Sequence, residues 1–301
     1  MLTESGLRQR AELIQAIRRF FIGRDYIEVD TPLRLPVLIP EAHNEPLESG
    51  DHFLQTSPEI CMKRLLAEAG CRRIFQICKC FRSKERGDRH IPEFTMLEWY
   101  RAYGDYYSLM DECEDLIIEV GRALGHKGAV PVRGHTVNLE KPWLRLTVAD
   151  AFARYAPVSM SRALEQNSFD EILCSYIEPQ LGIKKPVFLH DYPVKLGALA
   201  RCKKEQPLLA ERFEVYIAGL ELANGFSELT DEAEQRNRFE KELQLIKKQG
   251  GIMPELPLKF LSSLHKMPDA AGIALGVDRL AMVLLDAETI DGVVSFIPED
   301  L

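Results

Sequence analysis

The segment FRSKERGDRHIPEFTMLEWY (81–100) contains a charged loop and most of a predicted strand, and the fold prediction for this chain starts from it. Residues before it, RIFQICKCF (73–81), alternate in polarity like a strand, and so do residues 94–103. A charged loop, 82–92, lies between them, so the pattern predicts a long antiparallel hairpin. Elsewhere strands and helices do not alternate in regular β-α-β units. The sequence therefore predicts an α+β fold built around an antiparallel sheet.

Further elements follow from hydrophobic spacing and from residues typical of helix ends. Ser57 is predicted to cap a helix that has Pro58 in its first position and ends before Gly70. Ser108 and Asp111 predict a capping box for a later helix. The other predictions are helices over 7–21, 109–124 and 231–249, strands over 26–29, 213–218 and 272–277, and a loop over 33–51.

Composition limits the function of the chain. It has 301 residues and a formal net charge of −8, from 38 basic and 46 acidic side chains. This length allows one large domain or two small ones. The acidic balance disfavours a large nucleic-acid surface, and there is no apolar stretch long enough to cross a membrane. Seven scattered cysteines with no C-x-x-C pair predict reduced thiols in a cytoplasmic protein and make zinc unexpected.

Several carboxylates occur in apolar surroundings. On a strand, Glu98 shares a face with Phe94, Met96 and Tyr100. A two-residue turn at 218–219 would bring Glu214 and Glu221 onto one face of a hairpin.

Burying such groups requires a cation, which could be a metal, an arginine or an ammonium ligand. Two carboxylates together with phosphate oxygens suit Mg²⁺. Alternatively, these strands lie at a sheet edge and the carboxylates face water.

Two arginines are the matching positive groups. Arg82 follows an apolar strand, and Arg279 begins a helix after the glycine-containing strand GIALGV (272–277). Arginines at such positions bind phosphates through two parallel hydrogen bonds. An ordinary surface ion pair is the alternative for either residue alone.

These segments together resemble the class II aminoacyl-tRNA synthetases. GRDYIEVDTPL (23–33), residues 81–100 and GIALGVDRLAMVLL (272–285) resemble motifs 1, 2 and 3 of that family. TSPE (56–59) and ELANGFSEL (221–229) are most similar to its lysyl-tRNA synthetase subgroup. The resemblance covers most of the chain.

The resemblance implies one catalytic domain over 1–301, with an insertion or subdomain at about 126–210 and no anticodon-binding domain. Motif 1 implies a homodimer. The truncated branch of the subgroup transfers lysine to a lysine side chain of elongation factor P rather than to tRNA. Ala274 agrees with that branch, because lysyl-tRNA synthetases usually have glycine there, and the change is associated with accepting (R)-β-lysine.

The resemblance also implies the site. Arg82 and Arg279 would be catalytic and bind ATP, with Phe94 stacked on adenine and Glu214 and Glu221 holding Mg²⁺. The remaining ATP contacts would be Ser83, Lys84, Glu85, Ile91, Leu222 and Gly276. The lysine substrate would contact Ser57, Pro58, Glu59, Glu98, Tyr100, Glu228 and Ala274.

The chain departs from the family pattern at two positions. Lys84 stands where glutamate usually contacts the adenine amine, and Ile91 stands where asparagine is usual. Glu85 could serve in place of that glutamate after a one-residue shift of the loop, or backbone groups could read adenine.

Three functions remain open at this point. The leading expectation is ATP-dependent activation of lysine or β-lysine and its transfer to elongation factor P, with tRNA not the acceptor. A stand-alone lysine-activating ligase with tRNA or another carrier as acceptor is the second. The third is a non-catalytic paralogue that binds lysine or ATP as a regulator.

Overall fold

The computed structural model describes residues 1–197 and 199–301. The α-helices are α1 (Glu4–Ile22), α2 (Glu59–Ala69), α3 (Tyr106–Ala123), α4 (Val148–Tyr155), α5 (Met160–Glu165), α6 (Phe169–Ile172), α7 (Glu232–Gln249), α8 (Leu258–Leu261) and α9 (Val277–Leu284). The strands are β1 (Ile27–Glu28), β2 (Arg34–Leu35), β3 (Leu47–Ser49), β4 (His52–Leu54), β5 (Arg73–Phe81), β6 (Glu93–Ala102), β7 (Ala129–Val132), β8 (His135–Asn138), β9 (Leu144–Thr147), β10 (Val187–Pro193), β11 (Leu209–Ile217), β12 (Leu220–Ser227) and β13 (Ala270–Gly276).

One eight-stranded sheet organises the chain, in the order β1-β5-β6-β13-β12-β11-β10-β9. The six central strands, β5 to β10 in this order, run antiparallel to one another. The short outer strands β1 and β9 pair in parallel with β5 and β10. The hairpin predicted from residues 73–103 is β5 and β6, in an unbroken register from Arg73 opposite Arg101 to Phe81 opposite Glu93. The predicted α+β class is confirmed.

The two faces of the sheet are covered differently. On one face α1, α3 and α9 form a large apolar core with Leu97, Trp99 and Leu275 of the sheet. On the other face a smaller cluster joins α2, α7 and α8 to Ile74 and Tyr100. The alternation of side chains along β6 therefore sends Trp99 into the large core and its neighbour Tyr100 to the opposite face.

The segment 126–210, predicted as an insertion, contributes strands to the main sheet. Its β9 and β10 pair with each other, and β10 pairs with β11. Between these two strands, α4, α5 and α6 pack in a third apolar cluster around Phe152 and Phe169. The division of the chain into domains stays a prediction.

Local predictions were wrong at two helix starts and in one loop. Pro58, not Ser57, is the N-cap of α2, and it makes no side-chain cap. The α3 capping box consists of Asp105 and Ser108, one turn earlier than predicted. The predicted loop 33–51 contributes two strands to a small three-stranded sheet, β2-β4-β3. The α3 helix begins earlier because the side chain of Asp105 accepts a hydrogen bond from the backbone amide of Ser108.

The register of the central strands brings the predicted site residues into rows. Glu98 of β6 lies opposite Ala274 of β13, which lies opposite Asn224 of β12, which in turn lies opposite Glu214 of β11. Gly272, two residues from Ala274, lies opposite Tyr100 in the next row. Residues in such rows point to the same face. The face opposite the large core is therefore the polar one.

Within the described residues, no helix is both long and apolar enough to cross a membrane. All seven cysteines are free thiols, as the sequence predicts.

Candidate active site

Two adjoining cavities open on the polar face of the sheet. The larger has a volume of about 360 Å³ and the smaller about 70 Å³. Their walls have five residues in common, Glu41, Arg82, Met96, Asn224 and Ala274. The arrangement can hold a large ligand next to a small one, with Arg82 at the junction.

The larger cavity collects most of the residues predicted to bind ATP. Those that line it are Arg82, Glu85, Ile91, Phe94, Glu221, Leu222, Gly276 and Arg279. Ser83 and Lys84 are not in its wall. Lys84 has a left-handed backbone (φ 63°), its side chain is 78% exposed, and its ammonium lies 2.9 Å from Glu45. Glu85 therefore lines the larger cavity, where the family motif would have placed the residue at position 84.

Arg82 is held by neighbours but keeps hydrogen-bonding capacity. Its guanidinium carbon lies 5.2 Å from the centre of the Phe94 ring, and Glu85 lies 3.7 Å from its Nη1. Its buried Nε has no hydrogen-bond partner among the described residues. A buried, unpaired guanidinium nitrogen costs free energy unless a ligand accepts its hydrogen bond.

Arg279 of α9 makes hydrogen bonds to two other residues that line the larger cavity. Its Nη1 donates to the carbonyl oxygen of Glu221 at 2.9 Å and to the Glu221 carboxylate at 3.2 Å. Its Nη2 lies 2.5 Å from Nε2 of His90. Burial, and then the charge of Arg279, lower the pKa of His90, so the neutral ring accepts this hydrogen bond. His90 was missed by the sequence analysis because a histidine in a charged loop is typically exposed.

The smaller cavity collects the residues predicted to bind the amino-acid substrate. Ser57, Glu59, Glu98, Tyr100 and Ala274 line it, and Pro58 does not. The Tyr100 hydroxyl donates a hydrogen bond to one oxygen of Glu98. The other oxygen of Glu98 is buried without a partner among the described residues. Burial and the nearby Glu59 raise the pKa of Glu98 well above its usual value.

Glu228 lies just behind this cavity and already has an internal cation. The side chain of Lys63 from α2 is 2% exposed, and its ammonium forms ion pairs with Glu59 and, at 2.5 Å, with Glu228. Burial raises the pKa of Glu228 to about 8, although Lys63 opposes the shift. Burial alone would lower the pKa of Lys63, but Glu228 and Glu59 outweigh it and the pKa is raised. Sequence reasoning missed Lys63, because a lysine four residues after a glutamate on a helix is typically a surface ion pair.

The two carboxylates predicted to hold Mg²⁺ differ in whether their oxygens are available to a metal ion. Glu221 faces the larger cavity with a side chain that is 37% exposed. Both oxygens of Glu214 already accept hydrogen bonds, one from Arg212 at 2.6 Å and the other from Tyr192 at 2.5 Å and Tyr216 at 2.6 Å. Glu221 thus fits a cation shared with phosphate oxygens, and Glu214 in this arrangement does not. Among the described residues, no group of three metal-ligating side chains is present.

The eight-stranded, mostly antiparallel sheet with helices on both faces is the fold of a domain like those of the class II aminoacyl-tRNA synthetases. The family model described as tRNA synthetases class II (D, K and N) matches residues 3–300, and the chain belongs to this family.

Among curated proteins, the chain is similar to three bacterial enzymes, each named "Elongation factor P--(R)-beta-lysine ligase". The one from Edwardsiella ictaluri is 38% identical, and those from Salmonella gallinarum and Pectobacterium carotovorum subsp. carotovorum are each 39% identical. Each alignment covers 97% of this chain and 94% of the relative.

Proposed function

We propose that this chain is an ATP-dependent ligase that activates lysine or (R)-β-lysine as the adenylate and transfers it to a lysine side chain of elongation factor P. The observation that carries the proposal is the pair of adjoining cavities with Arg82 at their junction. The names of the full-length relatives support the same reaction.

In the first step a carboxylate oxygen of the amino acid attacks the α-phosphorus of ATP. The bond from that phosphorus to the bridging oxygen breaks, and pyrophosphate leaves with the electron pair. The chain contributes position and charge rather than a nucleophile. Arg82 is suited to bind the reacting carboxylate and the α-phosphate, and its unpaired Nε is the donor available for them.

Arg279 and Phe94 are suited to hold the nucleotide. Phe94 offers a ring face in the larger cavity, and Arg279 offers a guanidinium fixed by Glu221 and His90. Mg²⁺, when bound with ATP, would neutralise phosphate charge, and Glu221 is the residue suited to hold it. We infer that Glu85 contacts the base in place of Lys84, which points away from the cavity.

The carboxylates of the smaller cavity suit a substrate with two ammonium groups. Glu98 and Tyr100 line only the smaller cavity, whereas Arg82 lines both cavities. The distal ammonium would bind Glu98 and Tyr100 while the carboxylate faces Arg82. Glu228 then acts from behind, through its ion pair with Lys63.

In the second step the amine of the acceptor lysine attacks the carbonyl carbon of the adenylate. An amide bond forms, AMP leaves as its phosphate oxygen takes the electron pair, and the amine loses a proton. We also propose that the protein is a cytoplasmic homodimer. Reduced cysteines and the motif 1 segment support this assignment.

The proposal is tested in two stages with the purified full chain. Exchange of labelled pyrophosphate into ATP should depend on lysine or β-lysine, and Arg82→Ala should abolish it. Elongation factor P incubated with enzyme, ATP and amino acid should then gain the mass of one lysyl group. Exchange without any mass gain on the factor would contradict the proposed acceptor, and a chain with no exchange would be the regulatory paralogue.

A further inference from the structure

The four carboxylates around the smaller cavity are not equally compensated. Glu59 and Glu228 share the buried ammonium of Lys63. Glu98 has only a hydroxyl partner, Tyr100. The fourth carboxylate, Glu41, accepts a hydrogen bond from the amide of Asn44 at 2.8 Å and forms no ion pair with the described residues. Two carboxylates therefore face the cavities without a bonded cation.

Glu41 lies where the two cavities meet. It follows Pro40 in the loop between β2 and β3, and it lines both the larger and the smaller cavity. Arg82 lines both cavities as well, and its charge acts on Glu41. Burial nevertheless raises the pKa of Glu41 above its usual value, and Arg82 and Asn44 only partly offset this effect. A carboxylate in this position gains from a second cation supplied by a ligand.

The chemistry of the proposed reaction places an amine at this junction. The reacting carboxylate must lie against Arg82, and lysine and β-lysine carry an amine one or two carbons from that carboxylate. The distal amine is several carbons further from that carboxylate, and the proposed function assigns it to Glu98. Two uncompensated carboxylates, Glu41 in the wall of both cavities and Glu98 in the wall of the smaller one alone, match the two ammonium groups of such a substrate.

We infer that Glu41 binds the amine next to the reacting carboxylate and thereby selects amino acids over simple ω-amino carboxylates. This inference rests on the proposed lysine activation. It adds Glu41 to the substrate contacts that the resemblance implies, which include Glu59, and Glu59 is already paired with Lys63. The sequence gives no sign of this role, because Glu41 stands in a loop rich in proline and acidic residues.

The test compares two ligands that differ only at the proximal amine. Lysine has it, and 6-aminohexanoate keeps the carboxylate and the distal amine but lacks it. Their Kd values are measured by calorimetry with a non-hydrolysable ATP analogue present, for the unchanged chain, for Glu41→Gln and for the control Glu48→Gln. Glu48 is an exposed residue of β3 outside both cavities, and its substitution removes the same charge.

Glu41→Gln should weaken lysine binding by roughly tenfold or more, the usual effect of losing a charged hydrogen bond. Binding of 6-aminohexanoate should change less than about twofold. If the unchanged chain shows no measurable binding of 6-aminohexanoate, the Glu41→Gln variant should show no measurable binding of lysine either. Glu48→Gln should match the unchanged chain with both ligands.

An equal loss for both ligands would overturn the inference, because it would show that Glu41 only positions Arg82. Unchanged lysine binding in Glu41→Gln would overturn it as well. A chain that binds neither lysine nor β-lysine would instead contradict the proposed function. Thermal unfolding of each variant separates a loss of binding from a loss of fold.

Discussion

Gly272 offers a direct test of the smaller cavity, because a single methyl group there has no room. A Cβ built on Gly272 would lie 2.3 Å from Cε1 of Tyr100 and 2.6 Å from Oε1 of Glu228. Ordinary contacts between carbon atoms are about 3.5–4.0 Å, so the ring must move by more than about 1 Å. In Gly272→Ala the Tyr100 ring, which lines a cavity of only about 70 Å³ and hydrogen-bonds to Glu98, cannot keep its present position.

The substitution should raise the KM for lysine while leaving the KM for ATP nearly unchanged. Losing the position of Tyr100 and part of the cavity should cost about 1–3 kcal/mol in substrate binding, or roughly 5-fold to 150-fold in KM. The measurement is lysine-dependent exchange of pyrophosphate with ATP at varied concentrations of each substrate. Stability should fall by a similar amount, which a typical domain withstands.

Gly276→Ala on the same strand is the matched control. The atoms nearest to its Cβ would be aliphatic carbons of Arg279, the first at an ordinary 3.6 Å, and Gly276 lines the larger cavity. This variant should fold normally and raise the KM for ATP more than the KM for lysine. If folded Gly272→Ala kept its KM for lysine, or if both variants affected the same substrate, the assignment of the two cavities would be refuted.

Two further substitutions test single side chains. Ala274 lies opposite Glu98, so Ala274→Gly widens the smaller cavity by one methyl group. The ratio of kcat/KM for α-lysine to kcat/KM for β-lysine, measured in exchange assays, should rise by about tenfold. An unchanged ratio would count against the place of Ala274 in the substrate pocket. Lys63→Met leaves the buried Glu228 without its ion-pair partner and should lower the free energy of unfolding, measured in urea, by roughly 3–5 kcal/mol. The control Lys79→Met removes a surface ion pair with Glu93, whose N–O distance is 3.6 Å, and should lower the free energy of unfolding by less than about 1 kcal/mol. Equal losses of stability in the two variants would contradict the importance of the buried Lys63–Glu228 pair.

Regular spacing in the sequence predicted the part of the site built on strands. The alternation of β6 placed Phe94, Glu98 and Tyr100 on one face. The two-residue turn after β11 was predicted to bring Glu214 and Glu221 onto one face, and Glu221 does lie opposite Tyr216, two residues from Glu214. These predictions depend only on the period of a strand and on turn length, which are local properties of the chain. They were correct for that reason.

Contacts between distant segments could not be predicted in this way. Lys63 of α2 meets Glu228, which follows β12, only because α2 packs on the same face of the sheet, and no local pattern records that packing. Glu41 reaches the cavities from a loop whose path is set by the small sheet beside it. The N-cap of α2, predicted at Ser57 and found at Pro58, differs by one residue, because local sequence specifies the ends of helices less sharply than their existence.

The identity of the acceptor is the central claim, and one competition measures it. The full chain is incubated with ATP and (R)-β-lysine in the presence of equal amounts of elongation factor P and tRNA(Lys). Both acceptors are then analysed by mass spectrometry. We expect one added lysyl group on elongation factor P and unacylated tRNA. Acylated tRNA beside an unmodified factor would contradict it.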